Sequence, residues 1–347
     1  MATGKKSLTD PPTNLKEAID WVIKINGHAQ DLAKELKELL KHDGSEVAMK
    51  VLDKYRLVSE SVIKGLEEAN LKIQAPKNRF HFAYTALNNL SQGLKPFHPQ
   101  SEANINSAGV VKVKEWVSSV DESNLQKLIK ELATSLEAFV KPTSGILQNS
   151  DTSSYNSANS WNNLTPSDKR DCALILLGIM PVVYIGITYL YWQCTPVLNS
   201  SSSNELWQNQ KLDGSGSDQG SLKQYMEALG YTENLNNKNG QNIVSLMKSM
   251  FSGELQTHKS TASSKSYPEF LKALQDKALK PTLSTTSPLT SLYLLSYYYI
   301  TNFLYTVETS SPATPSFLGY SGLTALAGGA YGFNLGGIGT LMSALLA

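Results

Sequence analysis

Cysteine is nearly absent from this chain of 347 residues: Cys172 and Cys194 are the only two. Two cannot staple a disulfide-dense scaffold, and no C-x-x-C pair exists for a zinc site. Histidine is scarce as well. His28, His42, His81, His98 and His258 make up the whole set, and no two share metal-ligand spacing on one helix. An excess charge is also missing: 31 Lys and Arg face 30 Asp and Glu, a net charge of +1. Nothing in that balance attracts nucleic acid, and the lysines alternate with glutamates instead of forming a basic patch. The G-x-S-x-G elbow of serine hydrolases is absent. GFNLGGIG near the end lacks the Lys-Ser/Thr of a P-loop and has no βαβ surroundings, so its glycines read as packing positions. No catalytic residue, cofactor-binding residue or metal ligand emerges, and a non-enzymatic protein without cofactors is expected. The N-terminus has no apolar run, hence no classical signal peptide. Ala2 follows Met1, which excludes the myristoylation pattern.

Charge is also distributed unevenly. Residues 1–171 carry most of it, Cys172 to Asn204 carry none, and Pro281 to Ala347 carry only Glu308. The chain begins like a soluble helical domain and ends like one that avoids water. It is long enough to bury a sizeable core.

In the first part, apolar residues recur at helical spacing. Asn14 can cap a helix with Glu17 at the capping-box position, and Leu15, Ala18, Ile19, Val22 and Ile23 then share a face. Leu32, Leu36, Leu39 and Leu40 give a second stripe, expected to end at Gly44. Val47 to Leu66 and Phe80 to Leu90 suggest two more, and Val110–Val120 and Leu125–Val140 complete the set. This is the pattern of an amphipathic helical bundle. The expected fold is mostly α. It divides into an amphipathic helical domain (1–141), a polar linker and lead-in (142–171), and an apolar helical domain with Ser/Asn/Gly-rich loops (172–347).

Three polar stretches interrupt the pattern: Pro142 to Ser160, Asn199 to Gly220 and Thr257 to Ser266. Their Ser, Asn and Gly content predicts exposed loops. Between them LKQYMEALGY and NIVSLMKSMF read as short helices, and Tyr267 to Leu279 as another. Leu289 to Val307 is uncharged and aromatic; its length favours a helix over a strand. Gly328 to Ala347 has glycine about every fourth residue, tolerable where helices pack closely. Asn89, Asn163 and Asn199 each open an N-x-S/T sequon, which matters only on an export route with glycosylation.

The decisive stretch is ALILLGIMPVVYIGITYLYW, Ala173 to Trp192, which is twenty residues long and uncharged. A helix of that length rises about 30 Å, the thickness of a bilayer's hydrocarbon core. Tyr189, Tyr191 and Trp192 gather at one end like interfacial aromatics, with Lys169 and Arg170 at the other. Alternatively, Pro181 with Gly178 and Gly186 breaks it into a hairpin within a protein core. The candidate disulfide pair Cys172 and Cys194 separates the two. On one straight helix these residues stand about 33 Å apart, whereas a disulfide needs Cα atoms within about 7 Å.

Three passages carry a family resemblance: LTDPPTNLKEAIDWVIKINGH, DCALILLGIMPVVYIGITYLYWQC and the run from SPLTSLYLLSYYYITNF to LMSALLA. They resemble the variant erythrocyte surface antigens of Babesia parasites, with wording closest to the beta-type subunit. The resemblance covers both ends and the centre of the chain. It implies export to the infected erythrocyte surface, antigenic variation, adhesion to host endothelium through an unidentified receptor, and pairing with an alpha-type subunit. Larger members end in a transmembrane helix and a basic tail. The chain stops at Ala347 without one, so a short or C-terminally truncated member is expected, with membrane association an open question. The family's usual anchor lies near the far C-terminus, which makes Ala173 to Trp192 a buried, Pro181-broken core element.

Overall fold

The computed structural model describes residues 5–41, 50–51, 54, 115–140, 153–155, 161–195, 221–231, 240–251 and 287–296. Of these, 82% are helical and none lies in a strand. The fold is mostly α, as the periodicity predicts.

The helices are α1 (Leu15–Ile25), α2 (Ala29–Lys41), α3 (Glu122–Val140), α4 (Pro166–Gln193), α5 (Ser221–Ala228) and α6 (Gly240–Met247). Short 3₁₀ turns at Asn26–His28, Trp161–Asn163 and Lys248–Phe251 join or extend them. Residues 115–119 and 288–296 are helical too. The α1–α2 pair packs against both α3 and α4, and α6 touches α3 and α4 in turn.

Local sequence sets the helix ends. The Asp121 carboxylate accepts the Asn124 N–H at 2.7 Å and starts α3. Lys37 donates from α2 to the Val120 carbonyl, closing the turn before α3. Thr165 and Asp168 form a reciprocal capping box at the head of α4, followed by Pro166 where a missing N–H costs nothing. After α5, Gly230 turns left-handed at φ +100°, and Tyr231 N–H reaches back to the Met226 carbonyl at 3.0 Å. That is a Schellman closure, which glycine forms without strain.

The amphipathic stripes fall where the spacing puts them. Leu15, Ala18, Ile19 and Val22 of α1 are buried, as are Leu32, Leu36 and Leu39 of α2 and Leu125, Ile129, Leu132 and Leu136 of α3. Ile23 and Leu40 are only partly buried at the edge of the core. The core also takes in α4, so it draws on residues from both sides of the polar linker.

Two expectations about α4 are corrected. The chain does not fold back at Pro181: α4 is one helix of 28 residues with Pro181 inside it. Cys172 and Cys194 are both free thiols at its opposite ends, so no disulfide joins them. Every residue from Cys172 to Tyr184 is buried, on all sides of the helix. Apolar surface on every face is what a helix at the centre of a protein requires. By length and composition α4 could cross a membrane. Here its neighbours are α1, α2, α6 and residues 288–296. The burial inferred from the resemblance is therefore present, without the break.

Residues 288–296 are helical, as their length favours, and all of 287–296 are buried. Tyr293 stacks on Tyr184 of α4 with ring centroids 4.1 Å apart. Gly44, most of Val47 to Leu66, Phe80 to Leu90, residues 110–114, Tyr267 to Leu279, residues 297–307 and Gly328 to Ala347 lie outside the described residues.

Candidate functional site

The densest polar arrangement surrounds the N-terminus of α1. Asn14 caps the helix, its side chain accepting the Glu17 N–H at 2.8 Å. The Glu17 carboxylate does not return to Asn14, as the ordinary capping box would have it. It accepts the Thr13 N–H and hydroxyl, each at 2.7 Å, and pairs with Lys6 at 2.6 Å. Burial alone would raise the Glu17 pKa, but these donors outweigh it and hold the carboxyl below its ordinary value. One turn on, Asp20 pairs with Lys16 at 2.7 Å and accepts the Ser154 N–H and hydroxyl at 3.0 and 3.1 Å.

Ser154 and Tyr155 come from the polar stretch 142–160, expected to be simply exposed. Tyr155 is instead fully buried, and its hydroxyl donates to the Asp10 carbonyl at 3.1 Å. Burial, reinforced by Glu17, Asp10 and Asp20, pushes its phenol pKa far up. Lys6 N–H donates to the Ser154 carbonyl at 2.9 Å, forming a single parallel bridge between Lys6 and Tyr155. The Trp21 indole and the Cys172 thiol both donate to the Leu8 carbonyl, at 2.8 and 3.6 Å. The turn after α5 joins as well: the Leu229 carbonyl accepts the Lys16 N–H at 2.9 Å.

This hub fastens residues 5–14, α1, Ser154 and Tyr155 to one another. Both carboxylates are occupied by donors, so neither is poised as a general base. Among the described residues no group of three His, Cys, Asp or Glu could hold a metal ion. Periodicity could not reveal the hub, because its contacts join distant segments. One signal was available: Tyr155 and Trp161 are the only aromatics in the Ser/Asn-rich run from Pro142 to Leu164.

A smaller cluster sits at the head of α4. His28 stacks on buried Trp161 with centroids 5.8 Å apart, and the Lys169 ammonium stands 5.8 Å from the same ring. Desolvation lowers the His28 pKa; Asp31 opposes the shift and Lys169 adds to it. His42, His81, His98 and His258 lie outside the described residues.

The residues singled out from sequence are not brought together. Burial raises the Cys172 thiol to about 12, with Asp171 and Asp168 adding to the shift, and burial raises Cys194 too. Neither is a thiolate at neutral pH. Asn163 is exposed on the 3₁₀ turn before α4. The Thr165 hydroxyl of its sequon is engaged in the α4 cap, donating to Asp168 at 2.8 Å. Asn89 and Asn199 lie outside the described residues, as does the stretch Asn199 to Gly220.

The polar segments thus connect parts of one fastened helical core. The sequence comparison bears on what such a core is for. Residues 105–259 match the family model of variant erythrocyte surface antigen-1. That match supports the antigen family. The antigen-like region includes α3, Ser154 and Tyr155, α4, α5 and α6. The α1–α2 pair, outside it, packs on α3 and α4 and supplies Glu17 and Asp20 to the hub. No curated protein and no solved structure matches the chain.

Proposed function

We propose that this protein is a variant surface antigen of a Babesia parasite, of the beta type, displayed on the infected erythrocyte. It serves antigenic variation and adhesion to host endothelium, alongside an alpha-type subunit, and performs no catalysis. The match over residues 105–259 carries this reading. The fold is compatible with the role. Asp20 and Tyr155 fasten the chain just after residues 142–152, and α4 and α5 stand before and after residues 199–220. Connecting segments between fixed elements tolerate sequence change far better than the elements do. These two stretches are therefore the proposed variable, receptor-facing parts.

An antibody raised against this chain tests the proposal on intact, unpermeabilised infected cells. Surface labelling is expected; labelling only after permeabilisation would sink the display reading. A second reading, a non-adhesive membrane scaffold, draws on the length and apolar composition of α4. Binding of infected cells to endothelial monolayers separates the two. The antigen reading expects the antibody to block binding, and a scaffold predicts no effect.

A further inference from the structure

Pro181 sits in the middle of α4 and has no N–H to give. In an unbroken helix that N–H would bond the carbonyl four residues earlier, which here belongs to Leu177. Leu177 is buried, and a buried carbonyl without a donor is destabilising because it gives up water's hydrogen bond and gains none in return. The structure supplies a donor from elsewhere in the chain: the Ser296 hydroxyl, itself fully buried, donates to the Leu177 carbonyl. Ser296 stands in the last described turn of the helix 288–296, whose Tyr293 stacks on Tyr184 of α4.

We propose that Pro181 and Ser296 form a matched latch. Pro181 opens one carbonyl on the apolar helix, and Ser296 reads that carbonyl, setting the register in which residues 288–296 dock. Apolar packing alone is non-directional and leaves such a register weakly specified. One buried polar contact, satisfied in a single alignment, removes that freedom. Pro181 is thus a docking mark as well as a helix irregularity.

A double-mutant cycle on the full chain tests this, because the latch predicts coupling and independent packing predicts none. Ser296→Ala should lower the folding equilibrium constant by about ten-fold, since it strands the Leu177 carbonyl. Pro181→Ala restores the helix's own donor, and in that background Ser296→Ala should cost about two-fold or less. An equal penalty in both backgrounds would overturn the proposal, as would no penalty in either. Should Ser296→Ala fail to fold, NMR of the labelled, unaltered chain decides. The Leu177 carbonyl resonance should lie among hydrogen-bonded helix carbonyls; a position upfield of them, typical of a carbonyl without a donor, would refute the latch.

Discussion

Helices α1 and α4 are both enclosed by protein, yet they achieve it by opposite means. No residue of α1 is fully exposed. One face sits in the core, and the other lies under residues 5–14 and 153–155, held by Glu17, Asp20 and Lys16. Between Cys172 and Trp192, α4 has no charged side chain at all, and apolar and aromatic neighbours surround it. The two helices meet at Gly186, where an added Cβ would come within 2.7 Å of a Leu15 methyl. The difference teaches that a helix can be buried with its polarity satisfied or with its polarity removed. Only the first leaves a mark in the sequence that distinguishes a protein core from a bilayer.

The largest effect should come from placing a charge in α4. Ile179→Asp puts an unpaired carboxylate at a fully buried position, costing several kcal/mol or forcing the acid to stay neutral. Loss of the cooperative thermal transition at neutral pH is expected. A variant melting within a few degrees of the parent would mean that this face of α4 is not enclosed.

The polar side of the comparison can be broken at Gly230. An alanine there would hold a strained left-handed backbone and bring its Cβ within 2.7 Å of the Asn14 carboxamide oxygen. The Schellman turn and the α1 cap should suffer together, at about 2 kcal/mol in denaturant titrations. Asn14→Ala removes the cap alone and should cost about 1 kcal/mol. If the two substitutions cost the same, the turn does not bear on the cap.

The smallest effects separate the helices by pH. Glu17 has a depressed pKa, so its stabilisation is complete above the ordinary value of 4.5 and is lost as pH falls through the lower folded value. The Cys172 thiol is shifted the other way, from 9.0 to about 12. Its contribution is complete below 9.0 and is lost as pH rises from there through the folded value. Unfolding free energy should therefore fall in acid through Glu17 of the α1 hub, and in alkali through Cys172 and Cys194 of α4 together with Tyr155 of the hub. Glu17→Gln should flatten only the acid limb, and Cys172→Ala only the alkaline one; any crossover would contradict the assignment.

Most of the described helices were legible from periodicity and caps. The stripes Leu15–Val22 and Leu125–Leu136 and the Asn14 cap carry their own local reasons. The hub was not legible, because Asp20 and Ser154 are 134 residues apart in the chain. No local signal says that a serine in a polar loop will meet a carboxylate. The hairpin expected in α4 failed for a related reason. A proline weakens a helix locally, but neighbours on every side can retain it, and here a distant serine answers the carbonyl it leaves open. Of the three passages that carry the resemblance, the central one, Asp171 to Cys194, lies inside residues 105–259, where the match supports the antigen family. Loop composition alone pointed to no function.

Helix α4 runs unbroken through a protein core. Spin labels at Ser167→Cys and Thr195→Cys test it most directly, since Cys172 and Cys194 are too buried to take label. An unbroken helix spaces those positions by about 42 Å at 1.5 Å per residue. A pulsed electron-resonance distance near that value is expected in protein kept without detergent. A distance below about 20 Å, the signature of a chain folded back at Pro181, would contradict it.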